Sequence, residues 1–200
     1  NYRGQFAAVN GYDAGDEFAA AAAEFAAGAK LARDRTLYTA MFNADVYVYR
    51  QQHDRAVELL TDRVARVRES AMDFYRLGRV LQSGGRPAPE WQEALHRAAS
   101  LLQGRTDPPS LALLALVHTR LGEYKEAAAT SARAMAAAPG DARILYATAR
   151  MHALQRGSDA QALEVLNRAV DKRYELVEIL DMDFFNLRTD PAFLAAITRR

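Results

Sequence analysis

Residues 120–141 read RLGEYKEAAATSARAMAAAPGD, and the spacing inside this stretch decides the fold. It is nearly free of branched apolar residues, and from Tyr124 to Ala137 nothing interrupts a helix. Alanine costs the least of all residues to hold in helical form. Gly122 lies where the preceding helix should stop, because glycine accepts the left-handed backbone that follows a helix end. Pro139 cannot continue a helix and marks the next stop. Two helices joined by a turn this short fold back on each other as an antiparallel hairpin.

Working outward, the same marks return about one hairpin away. Around the opening stretch they are Leu111, Leu114-Ala115, His118, Gly122, Tyr124, Ala127, Ala134 and Pro139. A shift of 34 residues gives Leu145, Thr148-Ala149 and His152, then Ala162, Leu166 and Ala169 after one extra residue near Gly157. Upstream are Phe74, Leu77-Gly78, Leu81, Gly85 and a delayed Ala94, the delay caused by an insertion carrying Pro87 and Pro89. Further upstream come Ala40, Asn43-Ala44, Tyr47, Ala56 and Leu60. Residues 16–34, with Ala22, Ala26 and Ala29, match the second helix of an incomplete unit. A single hairpin cannot bury its own apolar face, so a recurring register implies stacking.

This pattern resembles the tetratricopeptide repeat, of bacterial type. The resemblance implies an all-α, right-handed α-solenoid of about four antiparallel hairpins with an extra N-terminal helix. The division it implies is 1–36 as a partial repeat, then 37–70, 71–107, 108–141 and 142–175 as repeats within one domain over 1–200. Residues 179–197, ILDMDFFNLRTDPAFLAAI, resemble the segment that closes many such proteins, with Leu-Arg-x-Asp-Pro-x-Phe at 187–193. Residues 176–200 are therefore expected to cap the solenoid, with Phe184, Phe185, Leu187, Phe193 and Leu194 covering its last apolar face.

Helices are expected near 16–34, 37–50, 54–68, 71–83, 90–103, 109–121, 124–137, 142–155, 159–172 and 191–199, the last with Asp190 as N-cap and Pro191 at its first position. The brief alternation DVYVY at 45–49 sits within one of these and reads as helix. All six prolines fall at breaks.

Composition narrows the function. Lys+Arg 26 against Asp+Glu 25 leaves a formal net charge of +1, which disfavours a nucleic-acid coat or a charge-driven membrane binder. There is no cysteine, so disulfides, thiolate nucleophiles and cysteine-ligated zinc are excluded. No apolar run reaches the ~18 residues of a membrane span. The compartment stays open between cytosol and periplasm. The chain begins at Asn1, which leaves room for a preceding domain.

Catalytic signals are lacking. Of the four histidines, His118 and His152 share one repeat position and read as core replacements for an aromatic. Neighbouring helices pack ~10 Å apart, too far for one zinc ion whose His ligands stand ~2 Å away. There is no HExxH, no phosphate-binding glycine loop and no serine elbow. QSGGRPAPEW at 82–91 reads as an enlarged turn. Acidic pairs such as Asp181 with Asp183 and Asp16 with Glu17 read as solvated turns and caps. The expectation is no enzyme, no cofactor and no metal.

The family resemblance supplies a binding surface. In tetratricopeptide proteins the first helix of each repeat lines a concave groove that takes an extended peptide or a helix. Carried over by position, the groove would present Tyr38, Met41, Phe42, Asp45 and Tyr49, then Met72, Tyr75, Arg76 and Arg79, then Leu113, Leu116 and Arg120, then Arg143, Tyr146 and Arg150. The lysine and asparagine clamp of the chaperone-tail binders is not matched: those positions hold Met41, Asp45, Arg76, Pro109 and Leu113. The expected role is a protein-interaction scaffold whose partner carries acidic residues or a free carboxylate, with a regulatory or substrate-recruiting module of a larger multidomain enzyme as the alternative. No nucleic acid and no membrane insertion are expected, and the oligomeric state is open.

Overall fold

The computed structural model describes residues 44, 45, 47, 48, 51–172 and 182–198. Those residues form helices and turns without a strand. The chain is all-α and built of packed helix pairs. In chain order the helices are α1 (His53–Arg66), α2 (Ala71–Ser83), α3 (Ala88–Leu102), α4 (Pro108–Leu121), α5 (Tyr124–Ala137), α6 (Ala142–Ala153), α7 (Asp159–Asp171), a 3-10 turn (Met182–Leu187) and α8 (Pro191–Thr198). Ala44, Asp45, Tyr47 and Val48 are helical, so the described residues of the DVYVY stretch are not in a strand. The expected helices at 16–34 and most of 37–50 lie outside the described residues.

The helix ends follow from local chemistry. Ser70 accepts a hydrogen bond from the Asp73 backbone N–H at 3.2 Å, and Asp107 from that of Ser110 at 3.0 Å. Each satisfies an amide that the first helical turn leaves without a partner. Asp190 takes the amides of Ala192 and Phe193 ahead of α8, with Pro191 at the first position. Gly122 ends α4 at φ 81°, where its N–H reaches back to Thr119 and the next amide to His118. One start differs from expectation: α3 begins at Ala88, not near 90, and carries Pro89 in its first turn. Proline is tolerated there because first-turn amides have no intrahelical acceptor to lose.

The chain divides into two compact units, 1–98 and 99–200. In the first, α1 packs on α2, and the Arg63–Asp73 ion pair at 3.0 Å ties the two helices together. Gly78 meets α3 so closely that a Cβ built on it would stand 2.7 Å from Leu95. In the second unit α4 pairs with α5 and α6 with α7, while α4 and α6 lie side by side. Stacked hairpins with adjacent first helices are the solenoid arrangement. Leu111, Ala112, Ala134 and Ile144 form one core cluster among α4, α5 and α6.

The small residues of the repeat register sit at the crossings. Ala56, Ala127, Ala134, Ala162 and Ala169 are each 0% exposed, as are Leu60 and Leu166. A larger side chain at such a point would push the helices apart. Tyr124 departs from the pattern: it opens α5 and is 52% exposed.

The C-terminal segment packs on this second unit, the 3-10 turn against α6 and α8 against α7. Phe184, Leu187, Phe193 and Ile197 are buried. Phe185, expected among the covering residues, is instead exposed, and the Arg188 guanidinium sits 5.2 Å from its ring centre. Successive residues of a tight turn point different ways, so Phe184 and Phe185 cannot both face the core. Among the described residues no helix is long and apolar enough to cross a membrane.

Candidate functional site

The residues proposed to line a groove divide by unit. Tyr38, Met41, Phe42 and Tyr49 lie outside the described residues. Of the others in the first unit, Met72 is exposed on α2, Arg76 is half-buried, and Tyr75 and Arg79 are buried. Arg79 makes an ion pair with Asp45. These two residues are 34 apart in sequence.

In the second unit the geometry is fuller. Arg120, in the last turn of α4, and Arg150, near the end of α6, converge on one carboxylate, that of Asp183 in the 3-10 turn. Arg150 places Nε 2.8 Å from Asp183 Oδ2 and Nη2 2.7 Å from the same oxygen. Arg120 reaches the other oxygen. The Asp183 side chain is fully buried, and those of Arg120 and Arg150 are only 8% and 12% exposed. Planar guanidinium forks suit a carboxylate in this way, since each oxygen receives its own donors.

An aromatic column continues from the clamp. The Arg150 guanidinium stands 5.7 Å from the Tyr146 ring centre, Tyr146 meets Phe184 at 5.7 Å, and Phe184 meets Phe193 at 5.5 Å. Tilted ring pairs at such separations add stabilisation beyond their buried area. Asp183 and Phe184 are adjacent in sequence. One dipeptide therefore supplies both the acid for the arginines and the ring for Tyr146.

Sequence reasoning brought Arg120, Tyr146 and Arg150 to one face, and the structure brings them together. It missed what they face. Asp183 was expected in a solvated acidic turn; it is buried, because two arginines from neighbouring first helices replace its water. Asp181, Asp16 and Glu17 lie outside the described residues.

The remaining groove positions go elsewhere. Arg143 is exposed and turned to its own N-cap, Asp141, with Nη2 3.1 Å from Oδ2. That hydrogen bond holds the Asp141 carboxyl below the usual carboxylate range, helped by the Arg143 backbone N–H. Leu113 and Leu116 are buried.

The two repeat-equivalent histidines have separate partners. His118 Nδ1 lies 2.5 Å from Glu123 Oε2 across the Gly122 turn. His152 is half-buried, and that desolvation lowers its pKa, opposed by the charge of Glu164. Among the described residues no group of three His, Asp or Glu side chains comes together as a metal site.

No protein-family model matches the chain, and no curated protein matches it. Among solved structures it is similar to a crystal structure of MamA, at 20% identity over 79% of this chain and 90% of that one, with a TM-score of 0.39.

Proposed function

We propose that this chain is a tetratricopeptide-type scaffold that binds a protein segment along its first helices. The reading assigns repeats to 37–70, 71–107, 108–141 and 142–175, and a closing segment to 176–200 with the Leu-Arg-x-Asp-Pro-x-Phe signature. Support for the register comes from its small residues, which are fully buried at helix crossings from Ala56 to Ala169.

The observation that carries the binding role is the convergence of Arg120 and Arg150 on one acidic-aromatic dipeptide. Two first helices side by side offer a face on which a carboxylate and an adjoining ring both find partners. The partner class is accordingly a protein segment with an apolar anchor and acidic residues or a free carboxylate. Within the first unit, taken by itself, Met72 is exposed on α2 and Arg76 lies one turn on, and we assign these two as its candidate contacts. Arginine with aromatic and methionine side chains is a composition enriched at interfaces. The chain acts by holding a partner and performs no chemistry on it.

The test begins with affinity capture and mass spectrometry to identify a partner. Its affinity is then measured for the wild-type chain and for Met72→Ala and Arg76→Glu. Weaker binding by both variants, with a shallower salt dependence for Arg76→Glu, is expected. Affinity and salt slope unchanged in both would move the surface off these helices.

A further inference from the structure

We infer that the Arg120–Arg150 clamp is a carboxylate-binding site held by the chain's own Asp183, and that an acidic-aromatic partner segment takes it only by exchange with that tail. The inference rests on the scaffold reading and adds how its arginine end is controlled.

Three residues from three elements meet at the clamp. Arg120 and Arg150 stand at the ends of two neighbouring first helices, where the groove was placed by register. Asp183 comes from neither helix; it belongs to the segment after the last hairpin. The tail therefore meets these helices as a separate peptide would, through a charged side chain and the ring next to it. Phe184 against Tyr146 is the apolar half of the same contact. Helix C-terminal ends carry partial negative charge, which favours arginines there, and the two guanidinium charges outweigh it toward a carboxylate.

The chemistry of the ligand can be read from the tail itself. It is an Asp followed by Phe, with the acid in both guanidinium forks and the ring on Tyr146. A competing segment must supply the same acid and ring. It must also overcome the high effective concentration of a covalently attached tail. Apparent affinity for the outside segment is reduced by the fraction of chains whose clamp is empty.

The test uses the full chain and an acetylated, amidated peptide MDFFNL, the sequence of residues 182–187, beside its Asn counterpart MNFFNL. Trypsin cleavage after Arg188 reports tail release in the wild-type protein. MDFFNL up to about 5 mM should accelerate that cleavage saturably, and MNFFNL should not. In a second measurement, fluorescent MDFFNL should bind Asp183→Asn about tenfold or more tighter than wild type, and Arg150→Gln in that background should abolish the gain. Wild-type cleavage unchanged by MDFFNL overturns the exchange, and it decides alone if Asp183→Asn does not fold. A partner that needs Met72 and Arg76 yet leaves cleavage after Arg188 unaltered would sink the exchange and leave the scaffold reading standing.

Discussion

Asp183 is the counter-ion that two arginines of the second unit share. Its carboxylate is shared by two nearly buried guanidinium groups. Burying charges is costly, and mutual attraction recovers that cost only while all partners remain. Asp183→Ala leaves two arginines facing each other without the anion. It should lower stability by about 3–5 kcal/mol, read as a shift in the urea midpoint at constant slope. His152 makes stability depend on pH. Its folded pKa is depressed by burial, so the folded state resists the proton that the unfolded chain accepts. The unfolded chain then binds more protons, and stability falls as the pH drops from 6.5 through the lowered value. Comparing urea midpoints at about pH 7.5 and about pH 5.5 should show a smaller loss for His152→Gln than for wild type.

At the scale of the element, small residues set how near two helices come. Gly78 has no room for a side chain, since Leu95 on α3 is fully buried and cannot swing away. Gly78→Val should overpack the crossing and cost about 1–3 kcal/mol, outweighing any gain in helix propensity. Ala127 makes the equivalent demand in the α4–α5 hairpin, at 0% exposure. Ala127→Leu should lower the melting temperature by a similar free energy of about 1–3 kcal/mol, whereas Ala128→Leu, on the exposed side of the same helix, should leave it nearly unchanged. The contrast tests the register directly, because a one-residue error would exchange the two results. Elements were legible for the same reason. Glycine, proline and acidic caps act within a few residues of where they stand, so Gly122 and Asp190 announce helix ends without help from the rest of the chain.

For the molecule, the C-terminal segment matters beyond its length. Phe184, Leu187, Phe193 and Ile197 bury their side chains against α6, α7 and each other. Deleting residues 181–200 removes these side chains and the Asp183 anion together. It should lower the melting temperature more than Asp183→Ala does and raise self-association in light scattering, because Tyr146 and its apolar surroundings become exposed. A truncated chain as stable and as monomeric as the full one would make the segment a free arm.

Among the described residues, the sequence by itself determined which segments are helical, most of their ends, and which small residues are buried where helices cross. Those are matters of backbone propensity and of periodicity along a single chain, and both are local. It also placed Arg120, Tyr146 and Arg150 on first helices. Tertiary structure alone decided what meets them. The same Asp183 is a solvated turn acid if the tail points outward and a buried counter-ion if it folds back. Nothing in its neighbours in sequence distinguishes the two. The choice is made by apolar burial of Phe184 and Phe193 and by two charges brought in from 63 and 33 residues away, a long-range sum that no local pattern contains.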